Sequence, residues 1–289
     1  MFDDLPGARS GFATLQGVDV HYVVAGTEEP ALLFFHHFYG NVRTWRRLFA
    51  ELEDDGALIA FDRPGFGGTK RPPRGTWGDR HPYRRATIAD MAAELLDELG
   101  HEQAVLIGSS AGGTVALETL ARHPDRVKGM VLLSPAITGD VGPPPALRPL
   151  LRTRPMRAVG RRIVRRVADR GIDETRIGRS WADPSRVTVQ DVEAYAGPLT
   201  EPDWDIGLWD IMNADVRPDH VPTLRDAEVP ILFVAGSHDR VIHPRWSRRA
   251  ARHSRHGTYL EIEDCGHTPQ EECPKALADA IRDFLGQLP

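Results

Sequence analysis

One stretch constrains this chain more than any other. From Val105 to Ala116 it reads Val-Leu-Ile-Gly-Ser-Ser-Ala-Gly-Gly-Thr-Val-Ala, so an apolar run of strand type passes through G-x-S-x-G (Gly108, Ser110, Gly112) directly into a segment of helical period. A side chain held at the tip of so sharp a strand-to-helix turn needs glycine on both sides, because the neighbouring backbones come too close for a Cβ. Such a turn belongs to a sheet with helices packed on its faces, and it leaves the hydroxyl of Ser110 at a helix N-terminus, where the helix dipole favours negative charge.

The rest of the chain supplies matching layers. Short runs rich in Val, Leu, Ile and Phe at Val18–Val24, Ala31–His36, Ala57–Phe61, Ala104–Gly108, Val127–Ser134, Pro230–Ala235 and Thr258–Ile262 alternate with amphipathic segments at Thr87–Leu99, Ala111–Arg122, Pro244–Arg255 and Pro274–Leu288. This alternation predicts an α/β fold with a mostly parallel sheet covered on both faces. Thr87 is expected to cap its helix, with Ile88, Met91, Leu95, Leu96 and Leu99 on one face. Between Ala136 and Asp226 the alternation stops, and Pro, Arg and Trp become frequent. A structureless loop of that length is implausible, so this segment is read as an inserted helical subdomain. The expected organisation is a core of residues 1–135 and 227–289 with a cap of residues 136–226. Within the cap, Arg148 to Arg170 holds nine Arg and one Asp, interleaved with apolar residues at helical spacing. The expectation is a helix face whose arginines meet water or acids elsewhere, in preference to an anionic-substrate or membrane patch.

With 36 Lys+Arg against 41 Asp+Glu, a net charge of −5 gives no electrostatic basis for nucleic-acid binding. The first residues lack the basic and apolar regions of a secretory leader, and no apolar run approaches a membrane span, so a soluble, cytoplasmic protein without a membrane partner is expected, as monomer or homodimer. Cys265 and Cys273 are the only cysteines and are expected to be reduced thiols.

A serine hydroxyl needs a base to become a nucleophile. His267 lies in a Gly/Pro-punctuated loop after the Thr258–Ile262 run, and Asp239 follows the Pro230–Ala235 run, where it can orient the imidazole and stabilise its charged form. The three occur in the order Ser, Asp, His, each just beyond the C-terminal end of an expected strand. Donors for an oxyanion are expected from the N–H of Ala111, next to the nucleophile, and from the loop after Ala31–His36, with Phe38 as the candidate. His37 and Ser109, beside these positions, and Trp181 and Trp209 in the insertion are assigned as candidate substrate contacts. His36 and His37 have no acidic or cysteine partner at ligand spacing, so no metal site is expected.

These residues carry a family resemblance. The chain resembles α/β-hydrolase-fold serine hydrolases along nearly its whole length, through His36-His37-Phe38-Tyr39-Gly40 with Trp45, Asp62-Arg63-Pro64-Gly65-Phe66-Gly67-Gly68-Thr69, the turn at Ser110, Gly236-Ser237-His238-Asp239 and Gly266-His267. The resemblance implies an eight-stranded, mostly parallel sheet, no cofactor, and a helical cap inserted after the sixth strand. The segment Asp183 to Thr188 with Tyr195 and Pro198-Leu199 is also similar to caps of that family. Three positions depart from it: His37 stands where the family usually has Gly, Ser109 where His is frequent, and Thr268 where carbon–carbon bond hydrolases typically carry Trp. His37 must therefore adopt a compatible backbone or reshape its loop. Haloalkane dehalogenases and epoxide hydrolases of this fold use Asp as nucleophile, whereas Ser110 implies an acyl-enzyme. The expected activity is hydrolysis of a carboxylic ester of a small hydrophobic substrate. The alternatives are a carbon–carbon bond hydrolase, a thioesterase or lactonase, an acyltransferase or cyclase, and, outside catalysis, a ligand sensor on the same fold.

Overall fold

The computed structural model describes residues 5, 7–72, 81–137, 145–151, 153–168, 174–200, 202–214 and 219–289. In chain order the strands are β1 (Arg9–Leu15), β2 (Val18–Ala25), β3 (Ala31–Phe35), β4 (Ala57–Phe61), β5 (Ala104–Ser109), β6 (Val127–Leu133), β7 (Ile231–Gly236) and β8 (Gly257–Ile262). The α-helices are α1 (Arg46–Glu51), α2 (Arg85–Leu99), α3 (Ala111–Arg122), α4 (Arg148–Leu151), α5 (Arg154–Ala168), α6 (Glu174–Gly178), α7 (Val189–Ala196), α8 (Trp204–Met212), α9 (Val221–Asp226), α10 (Arg245–His253), α11 (Pro269–Glu272) and α12 (Pro274–Leu285). The strands form one sheet in the order β1-β2-β4-β3-β5-β6-β7-β8, antiparallel at β1/β2 and β2/β4 and parallel elsewhere. The expected α/β class and eight-stranded, mostly parallel sheet are what the chain forms.

The uninterrupted apolar strands follow from burial on both faces. Side chains alternate across a strand, so Leu33, Phe35, Ile59, Phe61 and Leu106 join one core with α2, α3 and α10, while Leu32, Phe34, Leu58, Val105 and Ile107 join a second with α1 and α12. β1 carries no clear strand pattern in the sequence because it is an edge strand in which only Ala13 and Leu15 are buried. The α2 start is also corrected. The N-cap is Arg84, without a side-chain cap bond, and Thr87 lies inside the helix with its side chain largely buried, while Ile88, Met91, Leu95 and Leu96 form the buried face as expected.

Between β6 and β7 the described residues are helical, with no strand. Asp191 on α7 accepts from Arg46, in a very short contact, and from Arg47 at 2.8 Å, tying the insertion to α1. On α5, Arg157 pairs with Asp210 at 2.5 Å and Arg161 with Asp205 at 2.9 Å, while Arg165 also reaches Asp205, so part of the Arg-rich run joins α5 to α8. The side chains of Arg148, Arg152 and Arg170 lie outside the described residues. A Cβ on Gly160 would enter the Trp209 ring, which explains a glycine in the middle of α5 despite its helix cost. No helix among the described residues is long and apolar enough to cross a membrane.

Candidate active site

The G-x-S-x-G turn joins β5 to α3 as its spacing required. Ser110 takes φ 50°, ψ −114°, a conformation that L-residues rarely adopt and that surrounding packing must hold in place. That packing leaves no room beside it: a Cβ on Gly108 would lie 2.6 Å from Gly113 Cα, and one on Gly112 would run into the Phe35 carbonyl. The Ser110 N–H donates to Leu133 O at 2.8 Å, anchoring the turn to β6.

Ser110 and His267 line one cavity of about 390 Å³. Asp239 follows β7 and supports the imidazole from behind, with His267 Nδ1 2.8 Å from Asp239 Oδ2. The other carboxylate oxygen accepts from the N–H groups of Val241 and Ile242, each at 2.8 Å. Burial alone would push the Asp239 carboxyl up, but the His267 hydrogen bond and charge, together with the Ile242 N–H, hold it below its ordinary value. With Nδ1–H directed at a carboxylate, Nε2 of the neutral ring is the nitrogen left without a hydrogen and able to accept one. Ser110 and His267 make no hydrogen bond to each other here, a contact that commonly tightens only with substrate in place.

The loop after β3 is built to fix one peptide plane. The His37 carbonyl accepts from the Gly40 N–H at 3.0 Å, His36 Nδ1–H at 2.8 Å and Arg63 Nη2–H at 3.0 Å. Because the peptide is planar and trans, three donors on that carbonyl also fix the Phe38 N–H on the opposite side. Arg63 is buried, and the loss of water lowers its guanidinium to about 9. The left-handed residue of this loop is Tyr39 at φ 66°, so His37 requires no glycine-like conformation and the loop accommodates its side chain.

That side chain joins a buried cluster absent from the sequence reading. The Tyr195 hydroxyl lies 3.0 Å from His37 Nε2 and 2.6 Å from Glu271 Oε2, while His37 Nδ1 is 2.9 Å from the Phe38 carbonyl. Burial is the main cause that pushes His37 down to about 4 and Glu271 up to about 7. Next to Glu271, the Glu272 carboxylate accepts from the N–H groups of Gly266 (2.6 Å), Ala182 (3.0 Å) and Asp183 (2.9 Å), stapling the His267 loop to the insertion. The His267 N–H in turn donates to Ser180 O at 2.5 Å. Acids this close to His267 are visible in sequence, but only their burial distinguishes them from solvated helix residues.

The expected substrate contacts divide. His37 and Phe38 line the cavity together with Tyr195, Trp204 and Leu208. Trp181 does not line it; its ring is fully buried beneath Arg47, whose guanidinium lies 5.3 Å from the ring centroid. Trp209 packs with Phe66, Val164 and Leu208 and donates its indole N–H to Leu151 O at 3.2 Å, while Ser109 is fully buried with Oγ 3.5 Å from Gln270 Oε1. These three support the wall from behind. The expectation of free thiols is also corrected, because Cys265 and Cys273 form a disulfide that brackets His267. The turn at Asp264 (φ 52°) and helix α11 fold the chain back on itself, which residue spacing alone did not reveal. Cys265, Glu272 and Cys273 are also the one group within metal-ligating reach among the described residues, but the disulfide consumes both sulfurs.

Residues 30–274 match the family model described as the alpha/beta hydrolase fold. The chain belongs to the α/β hydrolase fold family. Among relatives of this hydrolase, epoxide hydrolase A of Mycobacterium tuberculosis is 29% identical, over 93% of this chain and 94% of that protein. A dihydrolipoyllysine-residue acetyltransferase component of an acetoin cleaving system from Cupriavidus necator is 33% identical, but the match covers 45% of this chain and only 33% of that protein. Among solved structures, a thermophilic esterase from Thermogutta terrifontis superposes with a TM-score of 0.74 at 24% identity, covering 96% of this chain and 98% of that one, a likeness of fold.

Proposed function

We propose that this hydrolase cleaves carboxylic esters of small, largely apolar substrates through an acyl-enzyme on Ser110. The observation that carries the reading is a serine in a strained strand-to-helix turn sharing a cavity with His267, whose second ring nitrogen is held by the buried carboxylate of Asp239. Ser110 Oγ attacks the acyl carbon while His267 Nε2 takes its proton. The developing oxyanion is held by the Ala111 N–H, at a helix start where no intrahelical acceptor exists, and by the Phe38 N–H. The tetrahedral adduct collapses as His267 returns the proton to the departing alkoxide. Water, deprotonated by His267, then releases the acid and restores Ser110.

The relatives include an epoxide hydrolase, but that chemistry on this fold employs an Asp at the turn, and a serine there supports acyl transfer to water instead. The cavity volume falls within the roughly 300–1,000 Å³ range of small-molecule sites, and Tyr39, Val164, Ile177, Leu199, Trp204 and Leu208 supply an apolar wall. Five of these belong to helices of the insertion or to the turn between them, consistent with residues 136–226 acting as a cap that selects the substrate.

The test is intact-protein mass after exposure to a fluorophosphonate, with turnover of p-nitrophenyl esters of increasing chain length, for the parent and Ser110→Ala. One adduct lost with Ser110, and a rate loss of about a thousandfold or more in the folded variant, are expected. Equal activity in variant and parent would remove Ser110 as nucleophile. A folded parent that forms no adduct and turns over no ester, yet is thermally stabilised by ligands, would favour a sensor.

A further inference from the structure

The His37–Tyr195–Glu271 cluster contains one more hydrogen-bond contact than its protons satisfy if Glu271 is ionised. The Phe38 carbonyl can only accept, so His37 Nδ1, 2.9 Å away, carries a hydrogen, and in the neutral ring Nε2 is then an acceptor. Tyr195 has one hydroxyl proton for two neighbours, His37 Nε2 at 3.0 Å and Glu271 Oε2 at 2.6 Å. With neutral His37 and a Glu271 carboxylate, one of those contacts brings two acceptors together with no proton between them.

One added proton resolves the conflict. Placed on Glu271, it gives an unbroken chain in which the acid O–H donates to the Tyr195 oxygen, the Tyr195 O–H donates to His37 Nε2, and His37 Nδ1–H donates to the Phe38 carbonyl. Placed on His37, it creates an imidazolium and a carboxylate in a site where the two side chains are 7% and 0% exposed. Such burial favours the neutral arrangement. The surrounding charges do not reverse this preference. Arg46, whose charge favours ionisation of Glu271, and Arg47, which donates to the Glu271 carbonyl at 2.8 Å, are both engaged by Asp191, whose negative charge opposes that ionisation. Arg63 and His267 face His37 and oppose its protonation.

We propose that Glu271 is kept as the carboxylic acid and, through the Tyr195 hydroxyl, holds His37 and the loop that offers the Phe38 N–H, making Glu271 and Tyr195 positioning residues of the active site. The loop thus gains a side-chain lock reaching from the insertion (Tyr195) and the His267 segment (Glu271) to the oxyanion donor. The upward displacement of Glu271 to about 7 and the downward displacement of His37 to about 4, both caused first by burial, agree with this placement. When Glu271 ionises, Tyr195 turns its proton to the carboxylate and His37 Nε2 loses its donor.

The kinetic consequence rests on the ester-hydrolase reading, so the test includes a readout independent of turnover. Infrared spectra of the parent and Glu271→Gln report the carboxylic-acid carbonyl band, and ¹⁵N spectra of histidine-labelled protein report His37 Nε2 across pH. The pH dependence of kcat/KM on p-nitrophenyl butyrate is measured for the parent, Glu271→Gln and Tyr195→Phe. Glutamine can donate an amide N–H to Tyr195 and so mimics the acid without titrating.

The parent is expected to show an acid band near pH 6 that is absent in Glu271→Gln, a His37 shift that follows loss of that band, and a descending alkaline limb of about tenfold per pH unit. Glu271→Gln retains the ascending limb and lacks the descending one. Tyr195→Phe, which breaks the chain without removing the acid, also lacks it. Absence of the acid band, a His37 shift that does not follow it, or an alkaline limb unchanged in Glu271→Gln overturns the proposal. If both spectroscopic transitions appear and the parent turns over no ester, the proton assignment and the His37 coupling stand, and the ester reading falls.

Discussion

Removing the Glu272 carboxylate should destabilise the fold and loosen the His267 loop together. Its two oxygens accept three backbone N–H groups, from Gly266 at 2.6 Å, Ala182 at 3.0 Å and Asp183 at 2.9 Å, and the side chain is fully buried. In Glu272→Ala all three donors lose their acceptor. A buried donor left unsatisfied costs about 1–3 kcal/mol, and a carboxylate that no longer has to leave water returns part of that, so a net loss of about 3 kcal/mol is expected. For a chain of this size that corresponds to a fall in Tm of roughly 6 °C. Gly266 adjoins His267, and Ala182 and Asp183 belong to the insertion, so kcat should fall along with stability. Glu272→Gln retains one acceptor and should lose about half as much, while Asp279→Ala, which breaks only exposed pairs with Lys275 and Arg282, should lose little. The assay is urea unfolding followed by fluorescence, with thermal scans and ester kinetics on the same preparations. A Glu272→Ala protein within about 0.5 kcal/mol of the parent, or a Glu272→Gln protein less stable than Glu272→Ala, would show that the carboxylate does not staple the loop.

Two further outcomes follow from the site. The Cys265–Cys273 disulfide closes a short loop, and Cys265→Ser should cost about 2–3 kcal/mol by the loop-entropy relation. In the unreduced, unfolded parent neither thiol should alkylate; alkylation at both before reductant is added would show that the bond is absent. The buried acids should also leave opposite signatures in stability against pH. Glu271, raised from 4.5 to about 7, contributes stability that is fully present below 4.5 and is lost as pH rises through about 7, a change of about 3 kcal/mol relative to Glu271→Gln. Asp239, lowered below 3.8, contributes stability present above that value and lost as pH falls through its folded value. Parallel stability curves for the parent and Glu271→Gln between pH 4 and 8 would exclude the first effect, and parallel acid limbs for the parent and Asp239→Asn the second.

The inner strands were visible in the sequence because burial on both faces leaves a continuous apolar run, as in Ala31–Phe35 and Ala57–Phe61. β1 was not, because an edge strand with two buried side chains carries little periodic signal. Thr87 has a good capping side chain, yet the helix begins at Arg85, since tertiary packing outweighs a cap worth about 1 kcal/mol. Trp181 and Trp209 stand out in the sequence as large apolar residues of the insertion, but composition does not say which side of a wall a ring occupies.

The constraints legible in the residues alone are local and steric. A strand meeting a helix through Gly108, Ser110 and Gly112 leaves few backbone solutions, and an Asp and a His after later strands come to the same edge once those strands align in parallel. The contacts made on folding depend on packing instead: Tyr195 between His37 and Glu271, Glu272 holding the Gly266 and Ala182 backbones, Arg63 on the His37 carbonyl, and Cys265 bonded to Cys273. The physical reason is that a polar residue's role depends on whether water can reach it. Glu271 and Glu272 look like solvated helix acids in the sequence, and burial makes one a candidate proton donor and the other a staple.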